Sequence, residues 1–216
     1  MTSIKELRRI CQKGRTWVTY RHISIYITKL LIKTPITPNQ ITYFWIFIGV
    51  IGSILLFFGK YIYSLIGASL ILLSVTLDCV DGEVARYKKI FSGKIGKFID
   101  EVGYWLILLL AISGITIGSF LAKNDFKILI LGLITFFGYS MMELIKMIDF
   151  YVLKKNKSKT ETKTKHPRIY RIYKILRIIF LVEYFHIVVF VMAIFNLLEI
   201  VLIYYALVFN GMWIGK

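Results

Sequence analysis

Cysteine is nearly absent: Cys11 and Cys79 are the two in 216 residues, too few and too badly placed for a disulfide framework. Charge is scarce as well, at 19% of residues against about 25% in a soluble domain. With 57% hydrophobic residues and a mean hydropathy of +0.70, that shortfall excludes an ordinary water-soluble globule. There is no repeat of the 20–50 residue kind. Nor does the start read as a secretory signal: the first 33 residues are basic throughout, with no apolar core before a small-residue cleavage site. Acidic residues are the scarcest charge, 12 against 28 Lys and Arg, for a formal charge of +16. An excess of that size can mark a nucleic-acid binder. Here the basic residues cluster between apolar runs, which points to membrane orientation and excludes nucleic acid as the partner.

What is present is a series of apolar runs. A bilayer core of about 30 Å needs about 20 apolar helical residues. Residues 41–59, 61–77 and 102–121 are uncharged; 128–142 is uncharged up to Glu143, with a helix expected to about residue 150. Residues 178–198 are apolar except for Glu183 and His186, and 200–215 are apolar again. Six spans follow, with tight turns at Gly59-Lys60 and at residues 196–199. Basic residues crowd before span one, between spans two and three and between spans four and five; the other connections hold only Lys60, Lys123 and Lys127. That alternation satisfies the positive-inside rule for six spans and fails for five or seven. It places both termini on the cytoplasmic side of a multi-pass membrane protein.

The expected fold class is therefore an all-α membrane protein, a six-helix transmembrane bundle. Residues 1–40 form a cytoplasmic N-terminal segment and residues 41–216 the membrane domain. Within the first segment, Trp17, Tyr20, Ile23, Ile27, Leu30 and Leu31 recur at helical spacing among Arg21, His22, Thr28 and Lys29. This reads as an interfacial amphipathic helix; an irregular basic tail is the plainer alternative. Residues 154–165 (KKNKSKTETKTK) read as a solvated loop in contact with anionic lipid. Gly49, Gly52, Ser53, Gly67, Ala68, Gly114 and Gly118 allow helices to approach closely. The pair Gly114 and Gly118 suits packing within the bundle or a homodimer.

Charges inside membrane helices are costly and call for a reason. Asp78 and Asp81 end the second span; Asp100 and Glu101 begin the third. Asp78 and Asp81, three apart, share a helix face with Gly82 and Ala85, and Asp100 lies four beyond Gly96. Converging carboxylates offer hard oxygen ligands to Mg²⁺, Mn²⁺ or Ca²⁺. Small neighbours leave room for a ligand, and Arg86 can hold phosphate. The plainer alternative is that Asp78 and Asp81 pair with Arg86, Lys88 or Lys89 to anchor the helix end.

The segment Asp78-Cys-Val-Asp81-Gly82-Glu-Val-Ala85-Arg86, followed by Gly96-Lys-Phe-Ile-Asp100, resembles the signature of the CDP-alcohol phosphatidyltransferase family, D-x-x-D-G-x-x-A-R then G-x-x-x-D-x-x-x-D. All five fixed positions of the first half match. Residues 37–42 (TPNQIT), before span one, also resemble a family segment; locally Thr37 reads as a cap and Pro38 as a first-turn residue. Two departures stand out. Nine residues, one more than usual, separate Arg86 from Gly96, and Tyr104 replaces the last Asp.

The resemblance implies an enzyme of phospholipid biosynthesis. It would move a phospho-alcohol group from a CDP-linked donor, most often a CDP-lipid, to the hydroxyl of a polar alcohol, releasing CMP. It implies Mg²⁺ or Mn²⁺ held by Asp78, Asp81 and Asp100. Gly82 and Ala85 would admit the nucleotide, Arg86 would contact phosphate, and Asn39 and Thr42 would help seat the donor. The site would lie on the cytoplasmic side. In the family the last Asp is the general base, a role ill suited to tyrosine with its ordinary pKa of about 10. Asp100, Glu101, Glu143, Glu183 and His186 are the candidates to replace it. His186 has the best ordinary pKa, about 6.5; the plainer alternative is that Glu183 and His186 satisfy each other. A relative that binds nucleotide or lipid without turnover is the second reading, and a transporter with an acidic mouth the third.

Overall fold

In a membrane the backbone has no water to bond to, so long uncharged segments satisfy their own hydrogen bonds as helices. The computed structural model describes residues 3–12, 20–90, 93–148 and 184–214, and among these it is all-helical, with eight helices and no strand. They are α1 (Ile4–Cys11), α2 (Tyr20–Leu31), α3 (Pro38–Leu56), α4 (Tyr61–Lys88), α5 (Gly93–Lys123), α6 (Phe126–Ile148), α7 (Phe185–Ile194) and α8 (Leu198–Ile214). Helices α3 to α6 are each long and apolar enough to cross a membrane; α7 and α8 are apolar but shorter, at 10 and 17 residues. The expected fifth span begins at residue 178, and 178–183, with Glu183, lie outside the described residues, as does the 154–165 loop.

Helices α4 and α5 run well past the apolar segments read from the sequence. The 28 residues of α4 extend about 42 Å, more than a bilayer core of about 30 Å. Both halves of the acidic motif thus stand on continuous helix. The ends of the elements are set by local chemistry. Thr37 and Gln40 form a reciprocal capping box: the Thr37 N–H donates to Gln40 Oε1 (2.9 Å) and the Gln40 N–H to Thr37 Oγ1 (3.4 Å), with Pro38 at the first helical position. α4 ends with Lys89 in the left-handed region (φ 56°) and the Ile90 N–H bonded back to the Ala85 carbonyl (3.1 Å), a Schellman closure. The expected tight turns fall at Gly59 (φ 64°) and Asn196 (φ 54°).

The chain divides into two compact units, residues 1–55 with 66–108, and residues 56–65 with 109–216. In the first, α3 lies close against α4 and α5 because its contact positions are small. A Cβ on Gly49 would stand 2.3 Å from Ile107 Cδ1, and one on Gly52 2.7 Å from the Gly67 carbonyl. Hydroxyls add interhelical bonds, from Ser74 to the Trp45 carbonyl (2.9 Å) and from Ser53 to the Ile107 carbonyl (3.2 Å). Helix α2 falls within the segment read as an interfacial helix; its buried side is Tyr20, Ser24, Ile25 and Thr28, while Ile23 and Leu30 are exposed. Trp17 lies outside the described residues. Helix α1 was not anticipated; it packs Leu7 and Cys11 against Ile25.

In the second unit α8 packs along α6. Thr135 donates to the Leu202 carbonyl (3.1 Å) and Asn210 to the Ile134 carbonyl (3.0 Å). Between them Phe185, Tyr205, Phe209 and Tyr139 stack with ring centroids about 5 Å apart. Gly118 faces the Leu56 carbonyl and Gly59, so this glycine serves packing inside the unit. Large apolar side chains are exposed along α3 (Phe44, Phe47, Ile54) and α6 (Leu133, Ile134, Phe137), a surface that water would not tolerate and lipid would.

A Cβ on Gly118 would fall 2.1 Å from the Leu56 carbonyl oxygen, so Gly118→Ala forces backbone to move. Thermal unfolding in detergent is expected to show a loss of about 1–3 kcal/mol. Gly211→Ala on α8, where nothing lies within 4 Å, is expected to leave stability unchanged or raised.

Candidate functional site

The motif end of α4 presents Asp78 and Asp81 on one face, and the start of α5 brings Asp100 to them. One carboxylate oxygen from each of the three lies within 4.8 Å of the others. Asp81 is buried; Asp78 and Asp100 are half-buried. Three carboxylates this close repel one another unless protons or a cation neutralise them. The carboxyls of Asp78 and Asp100 are within hydrogen-bonding reach of each other, and the Asp100 Oδ1 is buried with no hydrogen-bond partner among the described residues. An orphaned buried oxygen facing two more carboxylates is a fitting donor set for a hard divalent cation.

Asp81 is held in place from α3. Thr42 Oγ1 donates to its Oδ2 at 2.7 Å and the Trp45 indole Nε1 donates to the same atom at 2.9 Å. Thr42 and Trp45 are three apart, one helix face, and Trp45 is fully buried. Orienting bonds of this kind keep a ligating carboxylate aimed.

Asp81 and Asp100 open onto a cavity of about 450 Å³. α3 lines it with Pro38 and Thr42, α4 with Asp81, Gly82, Ala85 and Arg86, and α5 with Gly93, Gly96, Lys97 and Asp100. The volume suits a small-molecule substrate. Arg86 lays its guanidinium over Gly82: the point where a Gly82 Cβ would stand is 3.3 Å from Nη1 and 3.4 Å from Nη2. The wall thus carries two cationic side chains, Arg86 and Lys97, beside an acidic cluster, a combination with the chemistry to suit a phosphate and a divalent cation.

The other candidates from the sequence are placed as follows. Ala85 lines the cavity, whereas Asn39 is exposed at the start of α3 and is not among the lining residues. Thr42 reaches Asp81 directly. Glu101 pairs with Lys97 at 3.9 Å, and Glu143 pairs with Lys146. Tyr104 is half-buried one turn along α5 from Asp100. His186 is wholly buried in the second unit, edge-on to Phe185. The sequence reading missed Trp45 and Glu83. Trp45 lies one turn beyond Thr42 and was legible from that spacing. Glu83 was legible as an ionisable residue within a membrane helix.

Long apolar helices whose ends cluster three aspartates, two of them lining a cavity with an arginine, define a membrane protein with a charged cavity. A sequence profile of the CDP-alcohol phosphatidyltransferase family matches residues 35–212, which include every residue of that site. The chain belongs to this family: it is an integral membrane protein with a CDP-alcohol transferase role in phospholipid synthesis. No curated protein matches it significantly.

Trp45→Phe keeps the ring and removes the donor to Asp81. Binding of Mn²⁺, followed by electron paramagnetic resonance, is expected to weaken about tenfold.

Proposed function

We propose that the chain transfers a phospho-alcohol group from a CDP-linked lipid to the hydroxyl of a polar alcohol, with release of CMP. The observation that carries this reading is the cluster of Asp78, Asp81 and Asp100, of which Asp81 and Asp100 line one cavity with Arg86. A divalent cation, Mg²⁺ or Mn²⁺, held by the three aspartates would supply charge neutralisation for the pyrophosphate and for departing CMP. Arg86 and Lys97 bind phosphate oxygens at the cavity wall. Gly82 and Ala85, lacking bulk, leave room for the nucleotide. The acceptor oxygen forms a bond to the phosphorus bearing the lipid; the bond from that phosphorus to the bridging oxygen breaks, and the electron pair leaves with CMP.

The hydroxyl proton needs an acceptor, and Tyr104 stands where the family carries its base. Asp100 fits the task best: it lines the cavity and keeps a buried oxygen without a hydrogen-bond partner among the described residues. Glu101 is engaged by Lys97, and His186 is wholly buried, edge-on to Phe185. The crowding of Lys and Arg before α3, after α4 and in residues 154–177 favours a cytoplasmic site and cytoplasmic termini. One lipid-soluble and one water-soluble substrate suit a cavity at the motif ends of apolar helices.

The test is release of CMP by purified protein from CDP-linked lipids offered with polar alcohols. Release is expected to require Mg²⁺ or Mn²⁺ and to stop on chelation. Asp81→Asn is expected to lower turnover about a hundredfold or more; unchanged turnover would overturn the assignment.

Tyr104 itself favours a second reading, binding without turnover. On that reading CDP binds in the presence of metal, no CMP appears with any acceptor, and Tyr104→Asp brings turnover.

A further inference from the structure

Helices α1 and α2 carry no motif residue, yet they close on the back of the motif helix through one carboxylate. Glu83 follows Gly82 in α4, about 200° round the helix from Asp81, and is 1% exposed. Its Oε1 accepts from Gln12 Nε2 (2.8 Å) and from Ser24 Oγ (2.8 Å); its Oε2 accepts from Thr28 Oγ1 (2.6 Å). Gln12 Nε2 also donates to the Arg21 carbonyl at 2.7 Å, which ties the end of α1 to the start of α2. Ser24 and Thr28, four apart, are both fully buried. Burying a carboxylate is costly unless its oxygens are bonded, so the bonds to Glu83 specify where the two helices sit.

The docked helix end then reaches the cavity. Arg86 Nε donates to the main-chain carbonyl of Cys11, the last residue of α1. That carbonyl lies at a helix C-terminus, where acceptors are left without intrahelical partners and the helix dipole favours a cation. With Nε fixed from behind, Nη1 and Nη2 lie over Gly82 on the cavity wall. Burial pushes the Cys11 thiol pKa up; the Glu83 charge adds to the rise and Arg86 opposes it, so both side chains lie near Cys11.

We infer that Glu83 is a positioning residue: by docking α1 and α2 on α4 it lets the Cys11 carbonyl hold the Arg86 guanidinium in register for the phosphates of the donor. The inference rests on the reading of the cavity as a site for a CDP-linked donor.

The full-length protein with Glu83→Ala provides the test, through two readouts. The first is independent of activity: the rate at which N-ethylmaleimide labels Cys11, read by mass spectrometry of its peptide. Labelling of Cys11 is expected to rise about tenfold, and Glu83→Gln, which keeps an acceptor oxygen, stays near the wild-type rate. The second is the kinetics of CMP release. Glu83→Ala is expected to raise KM for the CDP donor about tenfold with little change in kcat, and to add nothing in an Arg86→Lys background, where Nε is gone. Should Glu83→Ala fail to fold, Ser24→Ala and Thr28→Val each delete one donor, and both are expected to shift Cys11 labelling and KM in the same direction by less. Cys11 protection equal to wild type in all these variants would overturn the inference. So would a KM rise from Glu83→Ala by the same factor in the wild-type and Arg86→Lys backgrounds. If the wild type releases no CMP while Cys11 labelling rises as expected, the transferase reading falls and the docking by Glu83 stands.

Discussion

Mutual repulsion among Asp78, Asp81 and Asp100 is the constraint around which the first unit is organised. Each pair of unit charges 4.8 Å apart repels by on the order of 3 kcal/mol at an effective dielectric near 20. A fold that left them to themselves would splay them into solvent. Here they stand on two rigid helices longer than the bilayer core, so the backbone holds them together against that force. The cluster is thereby held in a state that shared protons or a cation must neutralise.

The rest of the first unit reads as support for that arrangement. α3 approaches closely because Gly49 and Gly52 are small, and the same approach lets Thr42 and Trp45 reach Asp81. Lys88 donates to the carbonyls of Thr34 (2.6 Å) and Ile36 (2.8 Å), fixing the segment that leads into α3. Arg86, the cation on the wall, is itself anchored to α1. Asp81 and Arg86 are thus each held by a partner from a different element, Asp81 from α3 and Arg86 from α1.

Much of this was legible in the sequence, for identifiable reasons. Uncharged runs marked the apolar helices, and the carboxylate spacing across residues 78–100 marked the site, because membrane burial makes each charge conspicuous. Thr37 and Pro38 announced the start of α3. Less legible was the reach of α4 and α5 beyond their apolar cores, since polar motif residues mask helix in a hydropathy reading. The α1–α2 packing was hidden for another reason. Its buried face mixes Leu7, Cys11 and Ile25 with Ser24, Thr28 and Gln12 bonded to Glu83, and polar residues on a contact face interrupt the apolar periodicity. The apolar stripe read for α2 took in Tyr20, Ile27 and Leu31, which pack, together with the exposed Ile23 and Leu30, and left out Ser24 and Ile25.

The central claim is that side chains from two separate helices ligate one cation. Iron-directed cleavage tests it on the native protein: Fe²⁺ replaces Mg²⁺, ascorbate and peroxide generate hydroxyl radical at the bound ion, and the backbone is cut nearby. The account predicts two cuts in the same molecules, one beside residues 78–82 and one beside residue 100, both suppressed by excess Mg²⁺. Cleavage confined to one helix, or directed elsewhere and indifferent to Mg²⁺, would contradict it.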